Sequence, residues 1–169
     1  MIRSFLFVPG DSERKLEKAL GVGADAIIVD LEDSVNAENR PRARELAREY
    51  IEGQEDVWLR INPVDSGEAM ADLQAVMPAA PSGIVLPKAR SADDATRLAT
   101  KLDELESRFD VAAGHTRILP LCTERPRALF SLDSYVGATP RLAGLTWGAE
   151  DLSAALGARA RRDEDGNWL

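Results

Sequence analysis

One layout recurs along this chain and restricts what it can fold into. A short apolar run stops at a charge, a proline or a glycine, and apolar residues at helical spacing follow. The clearest case is Gly144-Leu145-Thr146-Trp147-Gly148-Ala149-Glu150-Asp151-Leu152, where Leu142 and Leu145 lead into a glycine turn and two carboxylates. Leu152, Ala155 and Leu156 then take helical spacing, with Gly157 placed to end the helix. Strand, turn, acid, helix is the order that puts a carboxylate at the C-terminal end of a buried strand, the end where ligands bind in βα proteins.

The earlier passages follow suit. Ser4–Val8 reads as a strand stopped by Pro9-Gly10, with Asp11 or Ser12 to cap a helix carrying Leu16, Ala19 and Leu20. Ala26–Val29 runs straight into Asp30-Leu31-Glu32-Asp33, before a helix through Ala43, Leu46, Ala47, Tyr50 and Ile51. Val57–Ile61 ends at Asn62-Pro63, and a weaker helix passes through Ala69, Leu73, Val76 and Met77. Gly83–Leu86 meets Pro87-Lys88, and Ser91 with Asp94 resembles a capping box for the helix of Ala95, Leu98, Ala99, Leu102 and Leu105. Ile118–Cys122 leads to Glu124 and a short helix through Ala128, Leu129 and Leu132, ahead of the sixth strand.

Alternation of this kind means βα units and a parallel sheet. Six units fit a doubly wound sheet or most of a TIM (β/α)8 barrel, which takes ~250 residues. The barrel reading therefore assigns this chain about the first six βα units. Residues 1–157 form an incomplete barrel, and 158–169 form a polar loop leading toward absent final strands and a lid, with a further helix starting at Trp168-Leu169.

Composition narrows the chemistry. A net charge of -8 disfavours nucleic acid and anionic membrane surfaces. No apolar run approaches a membrane span, and the single cysteine, Cys122, excludes an internal disulfide and suits the cytoplasm. One histidine and one cysteine leave no nitrogen–sulfur zinc set, so any metal must be held by oxygen: magnesium, manganese or calcium.

The apolar runs end at Asp30/Glu32/Asp33, Arg60, Lys88, Glu124 and Glu150/Asp151, which a parallel sheet gathers on one side. Six carboxylates face two cations there, an excess that a divalent ion would balance, with Glu124 and Asp151 the natural pair. Acids after strands also serve as helix caps, and Lys88 has an equal reading as a solvated loop lysine. Cys122 reads as a core residue, His115 as a loop residue without a role, and Arg159, Arg161 and Arg162 as a solvated turn.

Arg3-Ser4-Phe5-Leu6-Phe7-Val8-Pro9-Gly10, Val29–Asp33, Arg60-Ile61-Asn62-Pro63, Leu86-Pro87-Lys88, Thr123-Glu124 and Trp147–Leu152 come in the order seen in citrate lyase β-subunit-like proteins. The chain thus resembles the HpcH/HpaI aldolase family, which includes malyl-CoA lyase. The resemblance implies a TIM barrel with Mg2+ (or Mn2+) on Glu124 and Asp151, and Arg60 on a substrate carboxylate or carbonyl. It further implies Glu32 and Asp33 behind the metal's water shell, and backbone amides of Gly148, Ala149 and Glu150 on a small oxo acid. Lys88 and Arg3 complete the implied substrate contacts. The implied activity is carbon–carbon cleavage or formation between an acyl-CoA and an oxo acid through a metal-stabilised enolate, in a trimer or hexamer. In several relatives a C-terminal lid covers the neighbouring subunit's site and supplies a catalytic acid. Arg125-Pro126-Arg127 departs from the smaller residues usual after the glutamate. A class II aldolase of pyruvate-type donors without CoA, and a non-catalytic fragment or assembly partner of a lyase complex, are the alternatives.

Overall fold

The structure is a computed structural model that describes residues 2–160 and 162–167; Met1, Arg161, Trp168 and Leu169, and with them the expected helix start at Trp168-Leu169, lie outside the described residues. Five parallel strands are formed among the described residues: β1 Phe5–Pro9, β2 Ala26–Asp30, β3 Val57–Arg60, β4 Gly83–Leu86 and β5 Arg117–Pro120. Between them run α1 Glu13–Ala19, α2 Arg40–Glu52, α3 Ala69–Val76 and α4 Ala92–Phe109, and α5 Ala149–Ala155 follows. The first five expected strands lie within two residues of their places.

The strand order is β1-β2-β3-β4-β5, with no reversal. A doubly wound sheet reverses order and carries helices on both faces; this one does neither. Val8, Val29, Leu59, Ile84 and Ile118 point to one face and join the apolar sides of α1 to α4 in a single core. Ala26, Ile28, Trp58, Val85, Leu119 and Leu121 alternate to the other face, where Ile2 packs on them and no described helix does. On that second face Gly83 makes room for the Trp58 indole, because a Cβ at Gly83 would overlap its ring. Phe5 meets the same ring edge-on at 5.4 Å between centroids.

The sheet is not closed, since β1 pairs only with β2 among the described residues. One expectation is corrected. The sixth strand is reduced to two isolated bridges, Ile118 to Leu142 and Leu121 to Thr146. Those partners are three residues apart on one side and four on the other, so the Leu142–Thr146 segment carries an extra residue and cannot keep a ladder register. Smaller departures are local. The turn after Glu124 is a 3-10 helix over Pro126–Tyr135. The Ser91 cap is present, accepting from Asp93 N, but the Asp94 carboxylate reaches back to Arg90 N instead of closing the box on Ser91.

A buried ionic knot ties the irregular segment to the sheet. The Arg141 guanidinium donates to both Glu106 oxygens, to Asp103 and to Thr116 O, while Gly114 N and Thr116 N also donate to Glu106. Burial raises the Glu106 pKa, but Arg141 and the two amides outweigh it and hold the carboxyl down at about 2.

Candidate functional site

Because the strands are parallel, Asp30, Arg60, Lys88 and Glu124 leave the same edge of the sheet from four consecutive strands. Asp30 and Arg60 are register partners across β2 and β3. Arg60 donates Nε to Asp30 Oδ1 at 2.7 Å and Nη2 to Asp30 Oδ2 at 2.6 Å, a bidentate pair. Its Nη1 lies 3.3 Å from Glu32 Oε2 and 3.8 Å from Asp33, and its guanidinium stacks 5.0 Å over the Phe7 ring. Lys88 Nζ donates to Glu32 Oε1 at 2.5 Å and to Asp33 Oδ1 at 3.2 Å, and stands 3.7 Å from Asp151.

Lys88 also acts through its backbone. With φ of +53° it occupies the left-handed region, costly for a residue with a Cβ. In that conformation its N–H donates to Glu124 Oε2 while its ammonium reaches Glu32. Gly148 packs against the opposite side of Glu124: a Cβ there would lie 2.5 Å from Glu124 Cγ, so only glycine leaves the carboxylate its place. The Gly148 N–H donates to Thr123 Oγ1 at 3.1 Å, which fixes the start of α5 and brings Asp151 into its first turn.

Charge is unevenly compensated in this cluster. Burial raises the Asp30 pKa, yet Arg60's hydrogen bonds and charge overcome it and leave the carboxyl below its ordinary range. Burial leaves Glu32 above its ordinary value despite Lys88 and Arg60. Glu124 is pushed up to about 7, mainly by burial, with the Lys88 amide opposing and the Asp151 and Glu32 charges adding to the rise. Among the described residues no side-chain cation pairs with it.

The donor set suits a hard cation that takes few protein ligands. Glu124 and Asp151 offer carboxylate oxygens, and no three or more His, Cys, Asp or Glu side chains among the described residues form a complete metal cage. A small divalent ion that keeps waters or ligand oxygens on its remaining positions matches that set.

Residues 3–166 match the family described as HpcH/HpaI aldolase/citrate lyase. The chain belongs to this family. A (3S)-malyl-CoA thioesterase from Cereibacter sphaeroides is 36% identical over 95% of the chain and 53% of its own length. The citrate lyase β subunit of Mycobacterium tuberculosis complexed with oxaloacetate and magnesium aligns with a TM-score of 0.76 and 31% identity, covering 98% of this chain and 66% of that one. The protein CitE of Mycobacterium tuberculosis in complex with magnesium, acetoacetate and coenzyme A gives a TM-score of 0.74 and 31% identity, covering 97% and 55%. The chain spans about half the length of the curated relatives it matches. Those family members are enzymes.

Of the residues expected at the site, Glu32, Asp33, Arg60, Lys88, Glu124 and Asp151 are brought together, and Arg3 is not. Arg3 precedes β1, and residues before a parallel strand sit at the edge opposite those that follow it. There its side chain, 80% exposed, pairs with Asp25 at 3.0 Å. The Gly148 amide expected to face a ligand is already used on Thr123. Glu150 is exposed, and Ala149 begins α5 with its side chain outside what the structure describes. Asp151 lies in a helix rather than at a strand end. Sequence reasoning noticed Asp30 but missed its part as the main anchor of Arg60; the signal was its place as the last residue of an apolar strand. Cys122 is buried and donates to Thr146 O at 3.2 Å, and burial pushes its thiol pKa up, in keeping with its core reading. His115 contacts Ala80 O at the far edge.

Proposed function

We propose that this chain carries the metal and oxo-acid site of a magnesium-dependent carbon–carbon lyase that joins or separates an acyl-CoA and a small oxo acid. The observation that carries this reading is Glu124: a buried carboxylate beside Asp151, without a side-chain cation, in a cluster whose other acids are paired. Glu124 and Asp151 would hold Mg2+ (or Mn2+), which when bound neutralises negative charge developing on a carbonyl oxygen. The magnesium and oxo-acid ligands of the solved relatives support this assignment. Arg60, fixed by Asp30 and Phe7 and with its Nη1 beside Glu32 and Asp33, would take a substrate carboxylate through its remaining N–H groups, a task for which a planar guanidinium is suited and an ammonium is not. Lys88 and Glu32 connect Arg60 to Glu124, so the anion-binding and metal-binding sides are held in one frame. Asp33 faces the same ammonium from its exposed side and would order water there.

In the whole protein we assign the five sequential strands to the wall of a (β/α)8 barrel, a reading supported by an order without reversal and by helices confined to one face. Assembly with further copies is supported by the exposed Phe130, Val136 and Trp147. No helix among the described residues is long and apolar enough to cross a membrane.

A second reading, thioester hydrolysis, is favoured by the (3S)-malyl-CoA thioesterase relative. Malyl-CoA incubated with the protein and magnesium separates the two. Glyoxylate with acetyl-CoA marks the lyase, and malate with free CoA marks the hydrolase. Calorimetric titration with magnesium tests the site itself, and absence of binding at millimolar metal would sink both.

A further inference from the structure

Just beyond the register partners Asp30 and Arg60, a side chain takes over from the main chain in the ladder between β2 and β3. Leu31 N donates to Arg60 O at 2.9 Å. In a continued parallel ladder Leu31 O would accept from Asn62 N. Asn62 N turns instead to Asp72 Oδ2 at 2.7 Å, and the Asn62 side chain supplies the missing bond, with Nδ2 donating to Leu31 O at 3.0 Å. The same Nδ2 also donates to Asp72 Oδ2 at 2.8 Å. Asn62 and Asp72 are both buried, and Arg44 Nε donates to the other Asp72 oxygen at 2.8 Å, which balances its charge. What this amide holds is the Leu31–Glu32 peptide. Its C=O accepts from Asn62 and its N–H donates to Asp30 Oδ1 at 3.0 Å, so the plane is pinned at both ends. From that plane Glu32 reaches Lys88 with Oε1 and Arg60 with Oε2.

We propose that Asn62, aimed by Asp72, is a positioning residue of the anion-binding side: it holds the Leu31–Glu32 peptide so that Glu32 steadies Arg60 for a substrate carboxylate. The inference rests on the oxo-acid reading above, in which Arg60 takes that carboxylate. A buried carbonyl left without its donor is costly, and rotation of the peptide toward another partner carries Glu32 away from Arg60. Asparagine suits the place because one side-chain nitrogen offers two protons to two acceptors; an ionised aspartate of the same shape offers none. Glu124 lies outside this line of contacts. Its carboxylate is seated by the Lys88 main chain and by Gly148, so the metal side answers far less to Asn62.

The test measures magnesium binding, and pyruvate binding at saturating magnesium, by calorimetry of the whole chain, with urea unfolding of each variant. Asn62→Ser keeps a hydroxyl donor for Asp72 but is too short to reach Leu31 O as well. It should weaken pyruvate about fivefold or more, the scale of one buried hydrogen bond, and change magnesium affinity less than about twofold. Asp72→Asn keeps an acceptor oxygen for Asn62 and discards the charge opposite Arg44. It should lose stability yet hold pyruvate affinity within about twofold of the parent's. Pyruvate losses that follow stability in both variants, or equal losses of pyruvate and magnesium, would reduce Asn62 to a structural residue and overturn the proposal. Should Asn62→Ser not fold, the parent protein decides by NMR. Binding and positioning are reciprocally linked, so pyruvate should slow exchange of the Asn62 side-chain amide protons, and unchanged exchange overturns the role. Unchanged pyruvate binding in Asn62→Ser sinks this inference alone. If the parent protein does not bind pyruvate, it fails together with the lyase reading.

Discussion

Glu106 and Glu124 are two buried glutamates of one small protein, 1% and 4% exposed, and their carboxyls are driven in opposite directions. Glu106 sits under a guanidinium and two amides and is held down at about 2. Glu124 receives one backbone N–H, faces other acids and is pushed up to about 7. Both side chains are closed to solvent, but Glu124 lies deeper among protein atoms and has fewer compensating donors. A closed ionic network ties a loop to a helix, whereas an open one keeps negative charge available for something that binds.

The largest expected effect breaks the closed network. Arg141→Met leaves the Glu106 charge buried without its cation and should cost about 3–5 kcal/mol in urea unfolding, the usual loss when one partner of a buried pair is removed. Little change would mean that the knot does not hold the Leu142–Thr146 segment.

Next, the two glutamates should bend the pH dependence of stability in opposite senses. The Glu106 carboxyl is depressed on folding, so its contribution is full above its ordinary value near 4.5 and is lost as pH falls toward about 2. The Glu124 carboxyl is raised, so folding is favoured while it is protonated and loses that advantage as pH climbs from 4.5 through about 7. With EDTA present, Glu124→Gln should therefore flatten the upper slope and raise stability at pH 8 by on the order of 1 kcal/mol. The same variant, like Asp151→Asn, should lose most magnesium affinity by calorimetry. A Glu124→Gln protein that is destabilised and still binds magnesium would remove the contrast.

Gly148→Ala sharpens it. The added methyl displaces the flexible Glu124 side chain rather than backbone, so the expected result is weaker magnesium binding with a loss of stability below about 1–2 kcal/mol. Smallest of all, Glu150→Gln should change magnesium affinity by less than about twofold, because an exposed charge is well screened.

Much of the fold was legible because apolar runs and helical spacing are local patterns. The convergence of Arg60, Lys88 and Glu124 was legible because a parallel sheet puts all its strand ends on one side. Arg3 was misplaced because a motif was carried over whole, although that residue precedes its strand. Arg141 and Glu106 stand 35 residues apart, and nothing in the spacing of either pairs them. The bulge that dissolves the sixth strand depends on matching Ile118–Leu121 against Leu142–Thr146, a register that neither segment encodes alone.

Lys88 contributes two independent things through one residue: a twisted main chain that serves Glu124 and a charged tip that serves Glu32. Substitution can therefore pull the two apart. Methionine removes the tip and keeps the uncomfortable backbone; glycine removes the tip and makes that backbone effortless. The difference between the two variants reports the backbone together with the aliphatic stem that glycine also lacks, so a single position can weigh the site's shape against its electrical balance.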